Sequence, residues 1–280
     1  NNNIIVTLDG DGQNDPKDIV AMLKEYDENK DNKELLVIGH RKNRQDTWSR
    51  RYASLLAQKF IPGQEYIINS VTYNGFHYIT DIWLYEKVIT QGSNRMCLSA
   101  TLIELKGEIQ RILIDYTRIV LDALDFKFGP AHSEIIYSKE HGPLLVETGA
   151  RPMGGSLPPK LFREAMGYSQ IDATLDAILD PDSFYTMIKT SLYKRKTIKV
   201  INLISNKTGK LKSLVNLPKV RELQSYYYEI MNVDLGDKIY LTKDGHTCPG
   251  HIILLHESSD IISQDEKTIR ELELDMYLTE

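Results

Sequence analysis

Gly129-Pro-Ala-His-Ser-Glu134, followed by Leu144-Leu-Val-Glu147-Thr-Gly-Ala-Arg151-Pro-Met-Gly-Gly155, is the stretch that decides how this chain is read. It reads as two short strands, His132–Tyr137 and Leu144–Glu147, joined by the turn-rich Ser-Lys-Glu-His-Gly-Pro. If Tyr137 lies opposite Leu144, Glu134 falls directly opposite Glu147 on one face of the sheet. Carboxylates so placed repel and weaken the ladder unless something positive sits between them. Arg151 follows four residues on, then Gly154 and Gly155, which let backbone approach a ligand closely. Two carboxylates, a guanidinium and glycines in this order suit a magnesium–phosphate site, with oxygen ligands on the metal and Arg on an anion. A hairpin with two solvated glutamates fits the same residues. Glu134 shares its expected face with His132 and Ile136, and Glu147 with Leu145, so that face is not plainly wet, and both readings stay open on residues alone.

Around this hairpin stand further motifs: P-G-Q-E-Y at 62–66, V-T-Y-N-G at 71–75 and T-D-I-W at 80–83. Together with G-P-A-H-S-E and L-V-E-T-G-A-R-P-M-G-G, they resemble the ATP-grasp ligases, most of all the L-amino-acid ligase (dipeptide synthetase) branch. The resemblance runs from about Phe60 to the C-terminus. It implies an α+β fold, the C-terminal part of an ATP-grasp fold with a mostly antiparallel sheet. It also implies ATP and Mg²⁺ as cofactors, with Glu134 and Glu147 as metal ligands at the ATP phosphates. Arg151, with Gly154 and Gly155 beside it, would then hold the substrate carboxylate or its acyl phosphate. Glu65, in the G-x-E-Y motif, is a candidate at the ATP or substrate site, or an ordinary strand-face Glu. Many ATP-grasp enzymes carry Asn two residues after the second Glu. Gly149 stands there in this chain, as in the amino-acid ligase branch, so water or phosphate would complete the metal shell.

Residues 4–16, I-I-V-T-L-D-G-D-G-Q-N-D-P, carry a different text. An apolar run ends in Asp9 and Asp11, which can hold a divalent cation against a diphosphate or simply form an acidic turn. The longer text, with V-I-G-H-R-K-N-R-Q-D and S-R-R, resembles family-2 glycosyltransferases acting on polyprenyl phosphates. That likeness implies a partial GT-A-like α/β unit over 1–59, with Asp9, Asp11 and Gln13 at a metal and sugar-nucleotide site. The expected division is 1–59, then 60–190 as ATP-grasp catalytic subdomain, then 191–280 as a β-rich subdomain. Neither a strand ending in Lys-Pro nor a Gly-rich phosphate loop occurs in residues 1–60. The expectation is therefore a fusion or fragment. Its leading function is a carboxylate–amine ligase acting on small molecules, with a polyprenyl-phosphate glycosyltransferase or an inert chain as alternatives.

Composition narrows the classes. A net charge of −5 argues against a protein devoted to nucleic acid or anionic lipid. Two cysteines, Cys97 and Cys248, supply neither a disulfide framework nor a zinc knuckle, so a reducing compartment, the cytoplasm, is expected. No apolar run reaches the roughly 18 residues of a membrane span.

Several elements are legible. Asn74-Gly75 between alternating apolar runs predicts a hairpin of strands Glu65–Tyr73 and Phe76–Leu84. A helix is expected over Glu108–Leu124 with Ile112, Tyr116, Ile119, Val120, Ala123 and Leu124 inward. Ser156 and Ser169 are expected to cap two further helices. Short strands follow at Ile198–Ser205, Lys210–Leu214, Tyr226–Val233, Asp237–Leu241 and Gly250–His256, and a helix at Gln264–Leu274. His132 is expected to be a hydrogen-bonded structural histidine rather than a ligand. Lys87 is a weaker candidate for the site than Glu65.

Overall fold

Asn74 and Gly75 take φ angles of 51° and 76°, the left-handed pair that a two-residue hairpin turn requires. They join β1 (Gln64–Tyr73) to β2 (Phe76–Ile89), as the sequence predicts. The chain is seen in a computed structural model that describes residues 63–89, 95–154, 157–189 and 195–280. The first 59 residues, with Asp9, Asp11 and Gln13, lie outside the described residues, as do Gly155 and Ser156.

After β2 come β3 (Arg95–Ile103), α1 (Glu108–Ala123), β4 (Phe128–Ser138) and β5 (Gly142–Gly149). Three helices follow, α2 (Pro159–Met166), α3 (Gln170–Leu179) and α4 (Pro181–Lys189). The C-terminal part holds β6 (Thr197–Asn202), β7 (Gly209–Leu214), α5 (Leu217–Arg221), β8 (Tyr226–Met231) and β9 (Lys238–Ile239). It ends with β10 (Gly250–His256), α6 (Ser259–Glu273) and β11 (Tyr277–Thr279). Eight strands form one sheet in the order β5-β4-β1-β2-β3-β6-β10-β8, every neighbour antiparallel. A small sheet, β11-β7-β9, stands apart. The mostly antiparallel α+β architecture is the one expected, and pairing of β3 with β6 carries the large sheet without a break across residue 190.

Both faces of the large sheet are covered, which is why the central strand β1 is buried almost end to end, polar residues included. On one face α1 packs Leu113 against Tyr66, Ile68, Ile82 and Ile135. On the other, Leu161, Phe162 and Met166 of α2 pack on Ile67, Trp83, Leu102 and Ile253. The C-terminal part is tied in by charge as well as by strands. Lys199 of β6 is buried between Glu86 of β2 (3.0 Å) and Glu266 of α6 (2.5 Å). Arg270 reaches the carbonyls of Leu98 and Asn202, 2.9 and 3.0 Å away, and pairs with Glu273.

Several expectations need correction. The buried stripe of α1 is Leu113, Thr117 and Leu121, with the expected Tyr116 packed beside it, whereas Ile119 and Leu124 are 64% and 59% exposed. Thr117 turns its hydroxyl onto the Leu113 carbonyl, 2.8 Å away, so a residue polar on paper fits the apolar face. Pro158, not Ser156, precedes α2 at its N-cap, since Pro159 already has the φ a first helical residue needs. Ser169 does cap α3, in a reciprocal box with Asp172. The last helix begins five residues earlier than expected because Ser258 caps it. β3, α4 and β11 were not among the expected elements, although Met96, Leu98, Ala100 and Leu102 alternate along β3 and Phe184, Met187 and Ile188 share one face of α4.

Leu113→Ala should cost about 2–5 kcal/mol in urea unfolding, the range for a fully buried leucine. Leu124→Ala, on the exposed side of the same helix, should change stability by less than about 0.5 kcal/mol. Equal losses at the two positions would contradict this placement of the helix.

Candidate functional site

The register of four strands builds the site as three rungs on one face. The first runs Tyr85, Glu65, Ile136, Leu144; the second Trp83, Ile67, Glu134, Glu147; the third Asp81, Asn69, His132, Gly149. Register partners share a face, so Glu65, Glu134, Glu147 and His132 all look the same way. Glu134 lies opposite Glu147, as the sequence predicts.

The rest of that hairpin is shifted by one residue. Tyr137 pairs with Pro143, and Leu144 with Ile136, because a bulge falls between Glu134 and Ile135 of β4 and takes up Val146 on β5. The bulge also moves Leu145 off the face of Glu147. Leu145 pairs with Ile135, which packs on the α1 side, and its N–H donates to the Tyr116 hydroxyl of α1 at 3.1 Å.

Charge around the carboxylates is balanced from three directions. Lys87, diagonal to Glu65 across β1 and β2, pairs with it at 2.5 Å, and Glu65 is 6% exposed. The imidazole Nε2 of His132 lies 3.6 Å from Glu134 Oε1. Arg151 folds back so that a Cβ on Gly149 would meet its Cγ at 3.4 Å, and one on Gly154 would stand 3.9 Å from its guanidinium. The stem of Arg151 thus lies within ordinary van der Waals reach of Gly149. Burial alone would push the Glu134 carboxyl up; His132 in its charged form, Lys87 and Arg151 outweigh it and hold it below its usual value. Burial pushes the Cys97 thiol on this face up to about 12, so it is no nucleophile near neutral pH.

Beneath the carboxylates lies a polar network. His132 Nδ1 meets Asn69 Oδ1 at 2.8 Å, and Asn69 Nδ2 donates to Asp81 Oδ1 at 2.5 Å. Asp81 also accepts from Trp83 Nε1 (2.7 Å) and Thr80 Oγ1 (2.8 Å). Burial raises the Asp81 carboxyl against these hydrogen bonds. His132 is thus hydrogen-bonded, as expected, while Asn69 and Asp81 had no assigned part. Part of the signal was present: Asn69 shares the strand face of Glu65 and Ile67, and Asp81 lies in the quoted T-D-I-W.

The donor set is one of oxygens, suited to a hard divalent cation that completes its shell elsewhere. Among the described residues no cluster of three or more His, Cys, Asp or Glu side chains is placed to hold an ion. Two opposed carboxylates fit Mg²⁺, which keeps waters and completes its shell with substrate phosphates. They do not fit a self-sufficient cage.

Known proteins with this fold can now be compared. An L-amino acid ligase from Bacillus licheniformis superposes with a TM-score of 0.67 at 20% identity, covering 79% of this chain and 53% of that one. A phosphoribosylglycinamide synthetase from Anaerococcus prevotii gives 0.60 at 16% identity, covering 79% and 55%. This is the ATP-grasp fold. In sequence, dapdiamide A synthase from Enterobacter agglomerans is 25% identical over 231 residues, 80% of this chain and 52% of that protein. The chain thus spans about half the length of the curated relative it matches. No family model matches it. No helix among the described residues is long and apolar enough to cross a membrane.

The depressed Glu134 carboxyl has a pH signature. Its ionised form contributes stability that is complete above the ordinary value of 4.5 and is lost as pH falls through the lower folded value. Urea melts of the wild type and Glu134→Gln, whatever their gap at pH 7, should show the wild type losing ground to the variant as pH drops below about 4.5. A gap that stays constant down to pH 3 would contradict it.

Proposed function

We propose that this face is the metal–phosphate side of an ATP- and Mg²⁺-dependent carboxylate–amine ligase of the amino-acid ligase type. The observation that carries the reading is the opposed pair Glu134 and Glu147, with Arg151 folded over Gly149 beside them. The ATP-grasp fold and the likeness to dapdiamide A synthase support it. Within it, residues 60–190 form the catalytic subdomain and 191–280 the β-rich one.

Glu134 and Glu147 would hold Mg²⁺ against the ATP phosphates, and the metal supplies charge neutralisation on the transferred phosphoryl oxygens. In the proposed reaction the substrate carboxylate attacks the γ-phosphorus and ADP departs. The amine then attacks the acyl phosphate and phosphate leaves. Arg151 presents a planar fork to the carboxylate and to the acyl phosphate, with Gly154 beside it. Glu65, paired with Lys87, faces the same space and orients ATP, while Lys87 adds positive charge near the phosphates. The work of these residues is positioning and electrostatics. Substrates are small: a carboxylate such as an amino acid, and an amine.

The test is ATP-dependent formation of the amide from amino acids, with Arg151→Ala and Arg151→Lys beside the parent. Lysine keeps the charge but loses the fork, so both should cost about 3 kcal/mol of transition-state stabilisation, with thermal stability held. Parental rates in Arg151→Ala would overturn the assignment of the substrate site. ATP titration with and without Mg²⁺ gives a control, and binding of a sugar nucleotide in place of ATP would replace the ligase reading altogether.

A further inference from the structure

The third rung does more than fill the sheet. Asp81, Asn69 and His132 are register partners on three neighbouring strands, and their side chains form one line of hydrogen bonds ending at Glu134. All three are buried: Asp81 is 1%, Asn69 0% and His132 4% exposed. The direction of every bond follows from donor inventory. Trp83 Nε1 can only donate, so Asp81 Oδ1 accepts from it. Asn69 directs its amino group at the same oxygen, and that amino group also lies 3.3 Å from Met153 Sδ. The Asn69 carbonyl is thereby turned to His132 Nδ1, which is therefore the nitrogen that carries hydrogen. The free end of the ring, Nε2, is left facing Glu134 Oε1 at 3.6 Å. That spacing is long for a direct hydrogen bond and leaves the two atoms to share a third partner.

We propose that Asp81 and Asn69 act as positioning residues that lock the tautomer and tilt of His132, so that His132 Nε2 and Glu134 together grip one water of the Mg²⁺ shell. The proposal rests on the metal reading above and deepens it, extending the metal's surroundings from two carboxylates to a buried line reaching across β1 to β2. The same line touches the substrate-side loop. Met153 lies two residues beyond Arg151, and its backbone N–H donates to Gln170 Oε1 at 2.8 Å. Gln170 in turn donates to the carbonyls of Ser70 and Ala131, both at 3.0 Å. Asn69 thus bonds both to the histidine beside Glu134 and to the loop that follows Arg151. This gives T-D-I-W a part: Asp81 sets the line, and Thr80 and Trp83 hold Asp81.

Two measurements on the full chain test it. In the unaltered protein, ¹⁵N–¹H correlation of the imidazoles should show His132 as the Nδ1–H form when neutral, with Nε2 carrying no hydrogen; an Nε2–H ring would overturn the line of bonds directly. Mn²⁺ binding, read by electron paramagnetic resonance with and without ATP, then tests its use. Asn69→Ala and His132→Gln should each weaken Mn²⁺ binding about ten-fold or more, the usual effect of removing a partner that orients a metal ligand. The double variant should be no worse than the poorer single one, because the two residues act in series. ATP affinity without metal should be unchanged in all three, which a general structural defect would not allow. Wild-type binding of Mn²⁺ with no loss in Asn69→Ala overturns the positioning role alone. A wild type that binds no Mn²⁺, with or without ATP, overturns the metal reading beneath it and the proposal with it.

Discussion

Two like charges directly opposite each other on neighbouring strands are the constraint around which this structure is arranged. Glu134 and Glu147 repel across the ladder between β4 and the edge strand β5. An apolar pair there would be easier to fold. What makes the carboxylates tolerable is close at hand: the ammonium of Lys87, the guanidinium of Arg151 and the His132 ring in its charged form all lower the energy of the ionised Glu134. The bulge at Val146 has the same logic. It lets Leu145 turn to α1 while Glu147 stays opposite Glu134, so one edge strand serves a core on one side and a charged face on the other.

The charged face sits on strands, with loops only at its rim. Strand positions two apart are fixed by the pleat, and α1 and α2 clamp the sheet from both sides. A site built this way is preorganised: its carboxylates need little movement to meet a cation. The same design explains why buried polar residues occur in β1. A central strand covered on both faces has no wet side, so Asn69 must find partners within the protein, and it finds His132 and Asp81.

What the sequence made legible was local or paired. Asn74-Gly75 could be read because a left-handed turn admits few residues, whereas Glu134 and Glu147 were paired from a loop register one residue off, which the bulge restores at the carboxylates. Ser169 could be read because serine is a favoured cap ahead of a helical run, and the structure adds its box with Asp172. The one-residue slip at Val146 was not legible, since a bulge has no required residue. The inward stripe of α1 was misplaced because Thr117 hides its hydroxyl against its own helix. Asp81 and Asn69 lie twelve residues apart in the chain and meet His132 only through the order of three strands, which no spacing rule reveals. Glu65 was legible as a motif, while its partner Lys87 was fixed by the pairing of β1 with β2. The remaining texts, around Asp9 and Asp11, lie outside the described residues.

The central claim is that Glu134 and Glu147 hold one divalent cation against the phosphates of ATP. Paramagnetic broadening by Mn²⁺, followed on the backbone amides of the ¹⁵N-labelled full chain with ATP present, tests it most directly. The account predicts that residues 132–134 and 147–149 broaden first, and that Glu147→Gln abolishes the effect while the spectrum stays folded. Broadening centred elsewhere on the sheet, or unchanged in Glu147→Gln, would contradict it.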